Sequence, residues 1–255
     1  MAFIQRPDID FAMPENFMLL TGAILVIAFL YSSVGHAGAS GYIAVMTLFG
    51  LAPGVIKPAA LVLNILVACI GTWQFWRAGH FSWRLFWPFA VLAMPMAFLG
   101  GYWNLPAHTF KVLVGIVLLF SAAMFLFRPS NDTVDREPNR AVAILSGGGL
   151  GLLAGLTGTG GGIFLTPLML LMRWARTKTV AATSALFILL NSISGLLGNI
   201  TSTRNLPSFA FILLGAALAG GAAGSYFGSW RFNHLVIKRL LAVVLTIAGL
   251  KLILA

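Results

Sequence analysis

Carboxylates are nearly missing from this chain. Its 255 residues hold six, Asp8, Asp10, Glu15, Asp132, Asp135 and Glu137, all in two short polar stretches. The long hydrophobic blocks that fill the rest carry basic groups only. Buried ionisable residues in a bilayer are costly and mark the route of a substrate or coupling ion, and a cation route normally needs Asp or Glu to meet the positive charge. An anion is therefore the expected passenger. Cys69 is the single cysteine, which excludes an internal disulfide, a Cys-based metal site and a Cys-x-x-Cys redox pair. Charge of either sign is scarce as well, at 9 % of residues against about 25 % in soluble domains. With 59 % hydrophobic residues and a mean hydropathy of +0.95, the chain reads as an integral membrane protein. No metal and no cofactor is expected.

The net charge of +10 could suggest nucleic acid, but the Lys and Arg lie singly or in small clusters between apolar stretches, as topology determinants do. No nucleic-acid partner is expected. The partners are the lipid bilayer and a small anionic substrate.

Apolar stretches near the ~20 residues that cross a bilayer recur at 17–34, 55–76, 83–101, 109–127, 141–157, 177–198, 206–227 and 234–254. The first is too long for a signal-peptide core and follows acidic rather than basic residues, so it is expected to be a retained helix. Two further stretches, 42–52 and 162–173, are too short to cross. Each follows a glycine-rich break: Gly35-His36-Ala37-Gly38-Ala39-Ser40-Gly41 in the first half and Thr157-Gly158-Thr159-Gly160-Gly161-Gly162 in the second.

Like residues recur at a nearly constant spacing between the halves. Gly41 and Gly162, and Lys57 and Lys178, are 121 apart; Gly100 and Gly224, and Tyr102 and Tyr226, are 124 apart; Lys111 and Lys238 are 127 apart. Each half reads as long helix, glycine break, short helix and three long helices. If the short helix reverses direction, each half has five membrane segments and the odd count inverts the second half. Arg77, Arg84, Arg128, Arg136, Arg140, Arg173, Arg176, Lys178, Arg231, Lys238 and Arg239 then share one face, against Arg6, Lys57, Lys111, Arg204 and Lys251 on the other. That distribution, eleven against five, is a positive-inside signal, whereas uninterrupted crossings give eight against eight and none. Trp73, Trp76, Trp83 and Trp87 flank the loop between Arg77 and Arg84, where an interfacial aromatic belt belongs.

The expected fold is an all-α polytopic membrane protein of about ten transmembrane segments, built as two inverted five-segment repeats, each with a Gly-rich broken or short helix. The division is an N-terminal tail 1–16, a first repeat 17–127, a cytoplasmic linker 128–140 and a second repeat 141–255, in a bacterial inner membrane with both termini outside.

Paired broken helices in inverted repeats point to a transporter whose substrate sits near the midplane. Short helices starting inside the membrane aim free N–H groups and the positive end of the helix dipole at one point, and glycines let an anion approach the backbone. The expected substrate contacts are Gly35, His36, Gly38, Ser40 and Gly41 with Ser33 from the first break, and Thr157, Gly158, Thr159, Gly160, Gly161 and Gly162 from the second. Asn64, Thr183, Ser184 and Asn191, on the helices that follow, are candidates to complete the pocket. Symmetry does not pair the asparagines, since the spacing of 121 sets Asn64 opposite Ala185. An interhelical hydrogen bond is the alternative use of each asparagine, and an interfacial anchor that of Lys57 and Lys178. Other glycines serve packing: Gly147, Gly151 and Gly155, and Gly220, Gly224 and Gly228, repeat every four residues, which lets two helices touch.

Across these residues the chain resembles the sulfite exporter TauE/SafE family, also called the 4-toluene sulfonate uptake permeases. The resemblance rests on Ser32-Ser33-Val34-Gly35-His36-Ala37-Gly38-Ala39-Ser40-Gly41, continuing through Lys57-Pro58 and Asn64 to Gly71-Thr72-Trp73. In the second half it rests on Gly158-Thr159-Gly160-Gly161-Gly162 with Thr166-Pro167 and Ala182-Thr183-Ser184. It implies transport of sulfur-containing anions such as sulfite, thiosulfate, sulfoacetate or other sulfonates across the bacterial inner membrane. The first break departs from the glycine run usual in that family, carrying His36 and Ser40. Energetics favour efflux: each net negative charge leaving a negative cytoplasm gains about 2.3 kcal/mol per 100 mV. A passive anion channel is the closer alternative. Gly38-Ala39-Ser40-Gly41 also matches a Gly-x-Ser-Gly nucleophile pattern, but an intramembrane hydrolase needs a histidine from a second helix. None stands mid-helix here, so no enzyme is expected.

Overall fold

The computed structural model describes residues 16–33, 35–127, 138–203 and 209–230, with the helical residues 242–243, 245–247, 249–250 and 253–254 beyond them. The expected N-terminal tail, most of the linker 128–140 and much of the last apolar stretch lie outside the described residues, as do Val34, Arg204, Lys238 and Lys251. Everything else is helix and short connection: α1 (Phe17–Ser33), α2 (Ala39–Leu48), α3 (Pro53–Arg77), α4 (Trp83–Tyr102), α5 (Ala107–Phe127), α6 (Arg140–Thr157), α7 (Gly162–Leu171), α8 (Thr177–Thr203) and α9 (Phe209–Trp230). By length and composition, α3, α4, α6, α8 and the 209–227 part of α9 are able to cross a membrane. Shorter apolar helices, α1, α2, α7 and 108–120 of α5, accompany them.

The ends of these helices follow from local sequence. Pro53 opens α3, a first-turn position where its missing N–H costs nothing. Before it, α2 stops at a left-handed Gly50, with the Gly50 N–H on the Thr47 carbonyl and the Leu51 N–H on the Met46 carbonyl. The sequence placed this short helix at 42–52. It starts three residues earlier because Gly38, at φ 105°, turns the chain directly into the Ala39 amide. At the corresponding end of α7, Arg173 takes the left-handed conformation at φ 53°.

Glycine decides how the helices pack. A Cβ at Gly147, Gly151 or Gly155 of α6 would collide with the carbonyl oxygen of Phe89, Ala93 or Ala97 of α4, so these helices touch backbone to backbone and run in the same direction. Gly220 and Gly224 of α9 meet the carbonyls of Leu25 and Phe29 of α1 in the same way. Both sets follow the four-residue spacing; the surroundings of Gly228 lie outside those described. Between the two pairs, α3 and α8 cross in opposite directions, with Leu61 facing Gly195, Asn64 facing Ser192 and Gly71 facing Ala185. The outer surface is apolar where lipid would lie, with Val91, Leu99, Ile116, Phe211 and Ile212 exposed. Trp76, Phe81, Trp83 and Phe86 cluster around the α3–α4 turn, ring centroids 5.2–6.3 Å apart, and Arg140 lies 5.9 Å above the Trp87 ring.

Candidate functional site

Both glycine-rich breaks lead to the α3–α8 crossing. In the first, Gly35 and Gly38 take left-handed conformations between α1 and α2; in the second, Gly158, Gly160 and Gly161 do so between α6 and α7. Each break packs on the third helix of the other half. Gly35 sits on Ala181 of α8, and Gly158 sits on Lys57 of α3.

Asn64 joins the two breaks. Its Oδ1 accepts the N–H of Ala39, the first residue of α2, at 3.1 Å, and its Nδ2 donates to the Ser192 hydroxyl at 2.9 Å. Gly160 of the second break lies against the same two polar groups: a Cβ there would meet Asn64 Nδ2, Ser192 Oγ and Ile188. Asn64 and Ser192 are both fully buried. A helix N-terminus leaves its first N–H groups without intrahelical partners. Here the amide oxygen of Asn64 stands where the oxygen of an anion would stand, and the Ser40 and Gly41 amides follow along the same turn.

Around this junction the breaks are closely filled. The Ser40 hydroxyl donates to Tyr31 Oη at 3.0 Å, and Tyr42 Oη donates to the Ala37 carbonyl at 2.8 Å. The Tyr42 ring lies on Gly38 and the Tyr31 ring on Gly41, so these glycines are required by space as well as by φ. His36 is buried in the break, its main-chain N–H on the Tyr31 carbonyl. The Ser33 hydroxyl turns back to the Leu30 carbonyl at 2.6 Å. In the second break, Thr157 donates to the Leu153 carbonyl and shares a 2.9 Å hydrogen bond with Thr159. Gly161 lies against Phe187, and Gly162 against Ile188. Ser184 is paired with Thr166 at 2.8 Å, tying α7 to α8.

The remaining candidates stand differently. Asn191 spends its Nδ2 on the Phe187 carbonyl of its own helix, one turn back. Its Oδ1 and the Thr183 hydroxyl are buried with no hydrogen-bond partner among the described residues. Thr183 lies one turn from Val180 and Phe187, which belong to an apolar cluster with Phe89, Leu165 and Met169. Sequence reasoning missed Tyr31, Tyr42 and Ser192. The signal for the tyrosines was their place inside or beside the first break, rather than at a membrane surface.

Lys57, expected as an interfacial anchor, is buried. Its Nζ donates to the carbonyls of Gly100, Gly101 and Trp103, at 3.1–3.2 Å, and so closes the C-terminus of α4. Cations favour that end of a helix, where carbonyls are left without partners.

Comparison with known proteins bears on the same residues. The family model described as sulfite exporter TauE/SafE matches residues 20–252. The chain is 41 % identical over 236 residues to a probable membrane transporter protein, y4hK, of Sinorhizobium fredii, covering 91 % of this chain and 96 % of that one. It is 27 % identical over 247 residues to the probable membrane transporter protein YjnA of Bacillus subtilis, covering 90 % and 96 %. A third relative, the probable membrane transporter protein MJ0441 of Methanocaldococcus jannaschii, is 24 % identical over 201 residues, 73 % of this chain and 75 % of its own. No solved structure matches. The helices that cross a membrane, the breaks between them and these matches agree: the chain belongs to the sulfite exporter TauE/SafE family of membrane transporters.

Proposed function

We propose that this protein carries a sulfur-containing anion, such as sulfite, thiosulfate or a small organosulfonate, out of a bacterial cell across the inner membrane. The observation that carries the reading is the meeting of two glycine-rich breaks at Asn64 and Ser192, in a membrane core whose sequence holds no carboxylate. Backbone amides at the start of α2 supply the positive end, and the Asn64 oxygen holds one of them until the substrate takes its place. Asn64 Nδ2 and the Ser192 hydroxyl then supply further hydrogen-bond donors for the anion's oxygens.

The halves are read as inverted repeats, and the α3–α8 crossing supports this. Adding 121 to Asn64 and Gly71 gives Ala185 and Ser192, and the observed pairs are Asn64 with Ser192 and Gly71 with Ala185. A two-fold axis through the crossing exchanges one pair with the other, as the antiparallel direction of the two helices requires. The α4–α6 and α1–α9 contacts are exchanged by the same operation. With the linker in the cytoplasm and both termini outside, efflux of an anion runs down the membrane potential.

The test is uptake by proteoliposomes of sulfite, thiosulfate, sulfate, a small sulfonate and chloride under an imposed potential. Saturable, potential-sensitive uptake of one sulfur anion is expected, and uptake of none by folded protein overturns the reading. Linear, unsaturable flux would instead establish an anion channel. Ser192→Ala, which removes one hydrogen bond worth about 1 kcal/mol, is expected to lower transport roughly five-fold with little change in melting temperature. Gly160→Val, which would place methyls on Asn64 and Ser192, should abolish transport.

A further inference from the structure

The two ends of the α3–α8 crossing are built from corresponding residues, yet one is shut and the other is open. At the shut end, α8 presents Gly195 and Gly198 to α4. A Cβ at Gly198 would collide with the Phe98 carbonyl, and Gly101 lies directly on the Gly195 backbone. Lys57 seals this end through its three carbonyls. At the open end, the residues 121 positions earlier than Gly195 and Gly198 are Gln74 and Arg77. Their side chains stand where the glycines allowed contact, and a cleft of about 560 Å³ remains, lined by Trp73, Gln74, Arg77, His80, Lys178 and Tyr226. Lys178 is the counterpart of Lys57 and Tyr226 that of Tyr102. Lys178 is exposed where Lys57 is buried.

The cleft is cationic, with Arg77 from the end of α3 and Lys178 from the start of α8. The chain has no acidic residue between Glu15 and Asp132 or beyond Glu137 to offset them. Its floor is one residue thick. Phe75 packs on Ala181 and Ala182, one turn along α8 from Lys178, and Ala181 is the residue on which Gly35 of the first break sits. A groove walled by low-dielectric surface and charges of one sign concentrates counter-ions. The Lys and Arg that share its predicted face are the majority set, which orients it to the cytoplasm.

We propose that this cleft is a standing anion-capture site, the cytoplasmic mouth of the path to the breaks, with Phe75 as the barrier between them. The inference rests on the transport reading for what the captured anion does next, and on the cleft itself for capture. The opening is a fixed feature of the sequence, because Gln74 and Arg77 cannot close on α9 as Gly195 and Gly198 close on α4. The anion is one with a compact, oxygen-rich charged head, a sulfonate among them. His80 faces Arg77 of α3, Lys178 of α8 and Tyr226 of α9 across the cleft. Partial burial, and then Lys178, hold its imidazole below the usual histidine range. It is therefore neutral at pH 7 and adds a third positive charge only as the pH falls below about 6.5.

The experiment places a cysteine at Ala78, exposed in the cleft, in a Cys69→Ser background, since Cys69 is itself exposed. Its rates with anionic 2-sulfonatoethyl and cationic 2-trimethylammonioethyl methanethiosulfonate are compared, each normalised to a free thiol. The normalised rate is expected to favour the anionic reagent by about ten-fold, to rise further below pH 6.5, and to drop under methanesulfonate at constant ionic strength with gluconate. Arg77→Gln with Lys178→Gln should remove the preference and raise the KM for the transported anion while leaving kcat nearly unchanged. Equal normalised rates, or a preference that survives the double substitution, overturn the proposal. An unchanged KM in the double variant overturns the role as mouth of the path. Intact preference and protection without transport of any sulfur anion would retire the substrate reading and uphold the cleft as an anion site.

Discussion

Gly151→Leu is expected to cost this protein its folded state in detergent, while Gly149→Leu, two residues away on the same helix, leaves it intact. A Cβ at Gly151 would stand 2.6 Å from the Ala93 Cα and on top of the Ala93 carbonyl oxygen, and no rotamer of a neighbour relieves a collision with backbone. The helices would have to separate along their length, because Gly147 and Gly155 hold the same contact one turn to either side. Overpacking a well-fitted interior costs about 1–3 kcal/mol even when side chains can yield, and here the obstacle is main chain. A loss above 3 kcal/mol is the reasonable scale. Gly149 is exposed and has nothing within 4 Å of its added Cβ, so leucine there meets only lipid. Size-exclusion profiles and thermal melts of the two variants make the comparison. Equal behaviour would mean that α4 and α6 do not rely on glycine contact.

The second large effect separates two lysines that a repeat comparison treats as the same residue. Lys57→Met is expected to lower the melting temperature by about 5–10 °C, and Lys178→Met to leave it within about 2 °C. Lys57 is buried and gives all three of its protons to the carbonyls that end α4. Methionine matches the stem but leaves those carbonyls without a donor, where water does not readily replace it. Hydrogen bonds to a charged group contribute about 1.5–3 kcal/mol each, and the whole loss is on the order of 3 kcal/mol after relaxation. Lys178 projects into a cleft open to solvent, so its removal changes the local potential rather than the fold. A small shift for Lys57→Met would mean that α4 ends elsewhere or that its carbonyls find other donors.

The helices were legible because each signal is local. Pro53 starts α3, Ser82 precedes α4 and the glycine runs interrupt α1 and α6, all within a few residues of the observed boundaries. The glycine ladders of α6 and α9 were legible for the same reason: a period of four lies on one face of a helix, and only contact explains a strip with no side chains. Lys57 was not legible, because its acceptors come from residues 100–103 and nothing near it in sequence distinguishes it from Lys178. The partner of Asn64 escaped for a geometric reason. Repeat spacing set it against Ala185, its own counterpart, but helices that cross in opposite directions pair each residue with the counterpart of one on the far side of the axis. Asn64 therefore meets Ser192, the counterpart of Gly71. Tyr31 and Tyr42 escaped because tyrosine in a membrane chain reads as a surface residue. Here both hydroxyls are used inside the first break.

The exchange of partners between halves has a bearing on biogenesis. The first helix to be inserted, α1, finds its glycine-lined companion only in α9, and α4 finds its own only in α6. During synthesis α1 must wait in the lipid, with the carbonyls of Leu25 and Phe29 presented to a surface not yet made, until nearly the whole chain has left the ribosome. Neither half is a folding unit, and the two are laced into one object by the last long helices to arrive. A chain cut at the central linker should assemble only when both pieces share a membrane.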